Sequence, residues 1–183
     1  MTNPWHDVSF GDKAPEEINA IIEIPKNSTV KYEIDKDTGM LKLDRVLYSA
    51  VHYPGDYGFI PQTYWDDGDP LDIIVLSSHP VYPRTIVYVR PIGVIHMVDG
   101  DEADDKVIAV YVDDPRYHDY RDITDIPAHT LTELIHFFET YKALQKKKVT
   151  VLSVQHSSTA RKCILQGIQK YKDLMKKKKV AKK

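Results

Sequence analysis

The chain has 183 residues, 42% hydrophobic and 28% charged, with a formal net charge of -2 and a single cysteine. That length and balance suit one compact domain over residues 1–183 and exclude both a globally basic nucleic-acid binder and a disulfide scaffold. No apolar run is long enough to cross a membrane, and the opening Met1-Thr-Asn-Pro-Trp-His lacks the basic start and apolar core of a signal peptide, so a cytoplasmic protein is expected.

Residues 1–15 mix Trp5, His6, Gly11 and Pro15 without periodicity and read as an irregular arm. The segment 19–25 (N-A-I-I-E-I-P) reads as a first strand interrupted by Glu23. A carboxylate there either faces water at a strand edge or has a partner or a cavity. Segment 29–35 alternates, with Val30, Tyr32 and Ile34 on one face and Lys31, Glu33 and Asp35 on the other. A turn at Asp37-Thr-Gly39 then predicts a hairpin into segment 40–47, with Arg45 near its end.

The stretch 53–76, Y-P-G-D-Y-G-F-I-P-Q-T-Y-W-D-D-G-D-P-L-D-I-I-V-L, concentrates Asp67, Asp69 and Asp72. Gly68 permits a sharp turn, Pro70 biases Asp69 towards an extended backbone, and 73–76 reads as a buried strand leaving that turn. Three close carboxylates repel one another unless solvated, partly protonated or neutralised, and oxygen-only ligands favour Mg²⁺, Mn²⁺ or Ca²⁺ over zinc. A solvated acidic loop fits the same spacing equally well. An EF-hand fits worse, because the D-x-D-x-D-G loop with its twelfth-position Glu is absent.

Strands near 84–97 and 106–112 bracket a second acidic cluster, D-G-D-E-A-D-D-K at 99–106, which by itself reads as a hairpin loop. Segment 113–127 reads as a long ordered loop. Leu131, Leu134, Ile135, Phe138 and Tyr141 follow helical spacing over 128–144, and Thr130-x-x-Glu133 predicts a capping box. A last strand at 149–154 precedes a final helix, capped by Ser157 and Ser158 and carrying Ile164, Leu165, Ile168, Tyr171 and Leu174. The Lys-rich segment 176–183 reads as a frayed, solvated end, and Cys163 as a small packing residue in a reducing compartment. The pattern as a whole shows mixed β and α, with a strand-rich centre and late helices.

Taken in order, I-I-E-I-P, K-Y-E-I-D, L-D-R, Y-P-G-D-Y-G-F-I-P, D-G-D-P-L-D, the 99–106 loop and F-F-E-T-Y-K resemble the family I soluble inorganic pyrophosphatases over residues 4–175. D-G-D-P-L-D fits the family's D-[SGDN]-D-P-[LIVMF]-D pattern at every position. The resemblance implies a mainly β fold with flanking α-helices (α+β), an OB-like closed five-stranded β-barrel, and hydrolysis of pyrophosphate to two orthophosphates by direct attack of a metal-activated water. It further implies several Mg²⁺ ions, Mn²⁺ as a substitute, Ca²⁺ as an inhibitor, and a homo-oligomer, with a hexamer favoured over a dimer or monomer.

By that resemblance Asp67, Asp72 and Asp104 hold the main activating-metal site, and Asp99 with Asp104 recruits a further metal that arrives with substrate. Glu23 and Glu33 assist through bound water or a later metal. Asp69 is the general base, Lys31, Arg45, Tyr57, Lys106, Tyr141 and Lys142 bind the phosphates, and Tyr53 lines the cavity. Asp101 and Asp105 are extra acids with no implied role. The rival functions are an OB-fold nucleic-acid binder, which predicts a basic groove, and a two-metal phosphodiesterase or nuclease, which needs room for a nucleoside or sugar.

Overall fold

The computed structural model describes residues 3–36 and 38–181. In chain order these form α1 (Pro4–Asp7), β1 (Ile18–Ile24), β2 (Val30–Ile34), β3 (Leu41–Val46), β4 (Asp56–Phe59), β5 (Asp72–Leu76) and β6 (Ile86–Asp99). There follow β7 (Glu102–Ala103), β8 (Lys106–Tyr111), α2 (Ala128–Thr140), β9 (Val149–His156) and α3 (Ser157–Ala181), with 3-10 turns at Ile123–Asp125 and Ala143–Gln145.

Pairing in the order β1-β4-β5-β8-β6 returns to its start because β6 also pairs with β1, so five strands close an OB-like barrel. Closure removes the open sheet edges that would otherwise leave backbone donors and acceptors unpaired. Long β6 extends past the ring to carry β7 and β9, while β2 and β3 form a separate two-stranded sheet.

Alternation along the ring strands sorts their apolar side chains into two clusters. Ile24, Ile74, Ile95 and Ile108 join Leu134, Phe137 and Phe138 of α2 and Tyr141 just beyond it. Ile22, Ile73, Val94 and Val107 join Ala160, Cys163, Ile164 and Ile168 of α3. Each fully buried Ile or Phe stabilises the fold by about 1.5–3 kcal/mol, so the two helices are held by their apolar faces more than by helix propensity.

Several local expectations give way to tertiary context. The arm contains a helical turn, α1, capped by the Asn3 side chain, which accepts from Trp5 N at 3.0 Å. Trp5 is buried and donates its Nε1–H to the Thr63 carbonyl at 2.7 Å, which pins the arm to the barrel. The turn at Asp37 lies partly outside the described residues, although Gly39, at φ +67°, closes it by donating to the Asp35 carbonyl at 2.8 Å. Only Ile34 of β2 is buried, because its sheet stands apart from the ring and has no large apolar layer behind it. Strand β4 is not among the expected strands; it packs so close to β1 that a Cβ at Gly58 would lie 1.8 Å from the Ile21 carbonyl oxygen.

The helix caps also differ from the sequence reading. Helix α2 starts after Pro127 without a side-chain cap, so Thr130 and Glu133 lie inside it and form no capping box. Phe137, absent from the predicted apolar stripe, is one of its buried residues. Ser157 does not cap α3; its N–H and Oγ–H both donate to Asp122 Oδ2, at 3.0 and 2.9 Å. The Lys-rich segment read as a frayed end stays helical through Ala181. Asp122→Ala removes the acceptor for both groups and should lower the stability of the fold by about 1–2 kcal/mol, measured as an earlier urea midpoint with unchanged slope.

Candidate active site

The site forms at one end of the barrel, where β4 finishes and β5 and β8 begin. The parallel register sets Asp72 opposite Lys106, and the antiparallel register sets Phe59 opposite Asp72. Upstream, Gly68 adopts φ +88° and Asp67 Oδ1 accepts from Asp69 N at 3.0 Å, so the D-D-G-D-P turn is tied down locally before Asp72 enters its strand. Asp66 turns away and pairs with Lys170 at 2.6 Å.

Two bulges complete the mouth. The β1–β4 register slips between Ile22 and Ile24, leaving Glu23 as the extra residue and directing it into the cavity. There its Oε1 accepts from Ile34 N at 2.6 Å, so the choice between a solvated strand edge and a partnered carboxylate falls to the second. The β2–β3 register slips beside Asp44, which lies 3.4 Å from Lys31 Nζ and 3.5 Å from Arg45 Nη1. Arg45 Nε is buried without a hydrogen-bond partner among the described residues, a donor whose desolvation only an incoming acceptor would offset.

The resulting cavity is about 260 Å³ and gathers Glu23, Lys31, Glu33, Arg45, Tyr57, Asp67, Asp69, Asp72, Asp99, Asp104, Lys106, Tyr141 and Lys142. Tyr53 is not among them. Its ring is buried behind the wall, 5.4 Å from Tyr57 and 4.8 Å from Phe137; packed between those two rings, it supports Tyr57 and does not line the cavity. Sequence reasoning missed Lys36, Asn3, Trp5 and Glu102 on the lining, and Asp44 just behind it. Asp44 sits inside the quoted L-D-R motif, but only the bulge shows that it touches both neighbouring cations. Asp101 and Asp105 lie off the cavity lining.

Charge dominates the interior. Lys106 is fully buried and its ammonium contacts both Asp72 and Asp104. Burial opposes its charge, but the two carboxylates outweigh burial and hold its pKa above the ordinary value. Tyr57 donates to Asp72 Oδ2 at 2.5 Å, and burial keeps it a neutral phenol. Lys142 pairs with Asp99, Lys31 with Glu33, and Lys36 with the half-exposed Asp69. Burial pushes Glu23 up to about 8 and Asp67 up to about 6, with the nearby Asp72 charge adding to both.

Among the described residues, eight carboxylates and five basic side chains line the cavity, so with all of them ionised it carries excess negative charge. No three of those carboxylates bring oxygens within 4.8 Å of one another; lysines stand between them. The donor set is all oxygen and exceeds the available ammonium and guanidinium partners, which fits hard divalent cations. The cavity is also smaller than the roughly 300–1,000 Å³ of sites for drug-sized ligands.

A barrel end that opposes carboxylates to lysine, arginine and tyrosine donors in so small a space suits a compact, multiply charged oxyanion accompanied by cations. Comparison with known proteins narrows that class. The family model for inorganic pyrophosphatase matches residues 20–172. Soluble inorganic pyrophosphatase 2 of Chlamydomonas reinhardtii is 46% identical over 172 residues, 94% of this chain and 90% of its own. Soluble inorganic pyrophosphatase 1 of Arabidopsis thaliana is 46% identical over 92% of this chain and 80% of its own. The crystal structure of the inorganic pyrophosphatase from Thermus thermophilus superposes with a TM-score of 0.90 at 45% identity, covering 93% of this chain and 99% of that one. The chain belongs to the inorganic pyrophosphatase family, metal-dependent enzymes that hydrolyse pyrophosphate to phosphate.

Proposed function

We propose that this chain, acting as a single catalytic domain, hydrolyses pyrophosphate to two orthophosphates with Mg²⁺ at the barrel mouth. The observation that carries this reading is the cavity of about 260 Å³, in which carboxylates for cations face Arg45, Lys31, Tyr57 and Lys142. Asp67, Asp72 and Asp104 would hold the principal ions, Asp99 with Asp104 a further one, and Glu23 and Glu33 would assist. Bound cations of this kind screen the negative charge of the substrate and lower the pKa of a water molecule they hold.

The remaining chemistry belongs to side chains. Asp69 accepts the proton of the attacking water, its carboxylate being half exposed and paired with Lys36 while its backbone N–H is held in the local turn by Asp67. Arg45, Lys31, Lys106, Lys142, Tyr57 and Tyr141 donate to phosphate oxygens and stabilise the charge that develops on the leaving phosphate. A phosphate-release assay comparing pyrophosphate with ATP, a phosphomonoester and short DNA tests the assignment. Selective release from pyrophosphate, dependent on Mg²⁺, supports it; equal release from ATP or DNA would overturn it in favour of a broader phosphohydrolase.

Two further results are expected. Arg45→Lys keeps the charge but replaces a planar fork with one flexible donor. It should lower kcat/KM for pyrophosphate by roughly tenfold to a hundredfold, the worth of one charged hydrogen bond at about 1.5–3 kcal/mol; wild-type efficiency would place Arg45 outside the phosphate contacts. Ca²⁺ should bind the all-oxygen site but inhibit, because its larger, irregular coordination misplaces the reacting groups. Full turnover with Ca²⁺ alone, in protein first stripped by chelator, would contradict this.

Among the described residues no helix is long and apolar enough to cross a membrane. A cytoplasmic enzyme assembled as a homo-oligomer, a hexamer in preference to a dimer or monomer, is the accompanying proposal, tested by sedimentation velocity.

A further inference from the structure

The second acidic cluster is divided by the sheet. Lys106 pairs with Ile95 in the β6–β8 ladder, and both face the α2 side or the cavity. Asp105 and His96 each stand one residue away from that pair. Strand alternation therefore turns them to the opposite face, where the next pair, Val94 and Val107, packs with Cys163 of α3. There His96 Nδ1 lies 2.9 Å from Asp105 Oδ2. The metal-ligating atoms of His96, Asp105 and Cys163 all lie within 4.8 Å of one another.

We propose that His96, Asp105 and Cys163 form a binding site for a borderline-soft divalent cation of the Zn²⁺ type, separate from the catalytic cavity. An imidazole, a carboxylate and a thiolate suit Zn²⁺ or Co²⁺ and are a poor match for Mg²⁺, which prefers oxygen throughout. Three protein ligands leave room for a water molecule. The three come from separate elements, β6, the segment entering β8, and α3, so a bound ion ties the last helix to the sheet. None of the three lines the catalytic cavity. Cys163 and Asp105 are largely buried, while His96 is 28% exposed and gives access from solvent. Binding exchanges the Cys163 thiol proton, released to solvent, for the cation.

Cobalt supplies a direct test, because Cys163 is the only cysteine in the chain. Any thiolate-to-cobalt charge-transfer absorption therefore has one origin, and cobalt bound by the all-oxygen catalytic pocket cannot produce it. Co²⁺ is titrated into the reduced full-length protein in excess Mg²⁺. The expected result is a near-ultraviolet charge-transfer band that saturates at one equivalent, disappears on adding Zn²⁺ and is absent from Cys163→Ser. His96→Ala and Asp105→Asn should each lose most of the band at equimolar cobalt. Circular dichroism and retained Mg²⁺-dependent hydrolysis would show that each variant is folded. Absence of the band from wild-type protein that titrates one free thiol after unfolding overturns the site. A band undiminished in both His96→Ala and Asp105→Asn overturns it as well, since the thiol alone would then be responsible.

Discussion

Asp69→Asn should reduce turnover by about 10²–10⁴-fold at every Mg²⁺ concentration while leaving metal and substrate binding in place. The side chain keeps its size and position on the Gly68 turn but loses its capacity to accept the proton of the attacking water. Asp69 is half exposed and contacts Lys36, and it lies outside the Asp67, Asp72 and Asp104 set proposed for the principal ions, so its loss removes little from that set. Asp72→Asn provides the contrast. That residue accepts from Tyr57 and Lys106 at the start of β5, deep in the mouth. Its replacement should weaken Mg²⁺ binding, and raising Mg²⁺ should restore part of the activity, as expected when a hydrated site loses one ligand. Turnover and Mg²⁺ affinity measured on both variants decide the matter. Full rescue of Asp69→Asn by Mg²⁺, or unchanged Mg²⁺ affinity in Asp72→Asn, would reverse the roles given to the two residues.

Gly58→Ala should destabilise the protein by more than about 4 kcal/mol, a large share of the roughly 5–15 kcal/mol that separates folded from unfolded chains. A Cβ added there would lie 1.8 Å from the Ile21 carbonyl oxygen and 2.9 Å from Ile22 Cα. Both are backbone atoms of the paired strand, so no rotamer change relieves the overlap; β1 and β4 must separate. That separation also disturbs the mouth, because Tyr57 precedes Gly58 and the Glu23 bulge follows Ile22. The urea midpoint should fall sharply, with residual activity falling alongside it. A midpoint within about 0.5 kcal/mol of wild type would mean that the strands are not in this close contact.

The spacing of residues along the chain was enough to single out candidate residues that the structure gathers around one cavity. The Asp67-Gly68-Asp69-Pro70 turn leading into an apolar strand, the alternation through Lys31 and Glu33, and the helical spacing of Leu134, Phe138 and Tyr141 are local patterns. They reflect the backbone preferences of Gly and Pro and the periods of strand and helix, which act over a few residues. The ordered motifs, taken together, also reached the family. What a local pattern does not contain is the partner of a strand or the register of a bulge. Asp72 meets Lys106 from 34 positions away because β5 and β8 lie side by side in a closed ring. Tyr53 falls behind the cavity wall, Asp44 meets both Lys31 and Arg45, and Asp122 takes the α3 cap from Ser157, all through contacts between separate elements. Alternation marks Asp104 and Asp105 as facing opposite ways, yet only the position of α3 puts a cysteine opposite Asp105. Those choices are made by packing of the whole chain, where burying one continuous apolar surface outweighs the preference of any single turn or cap.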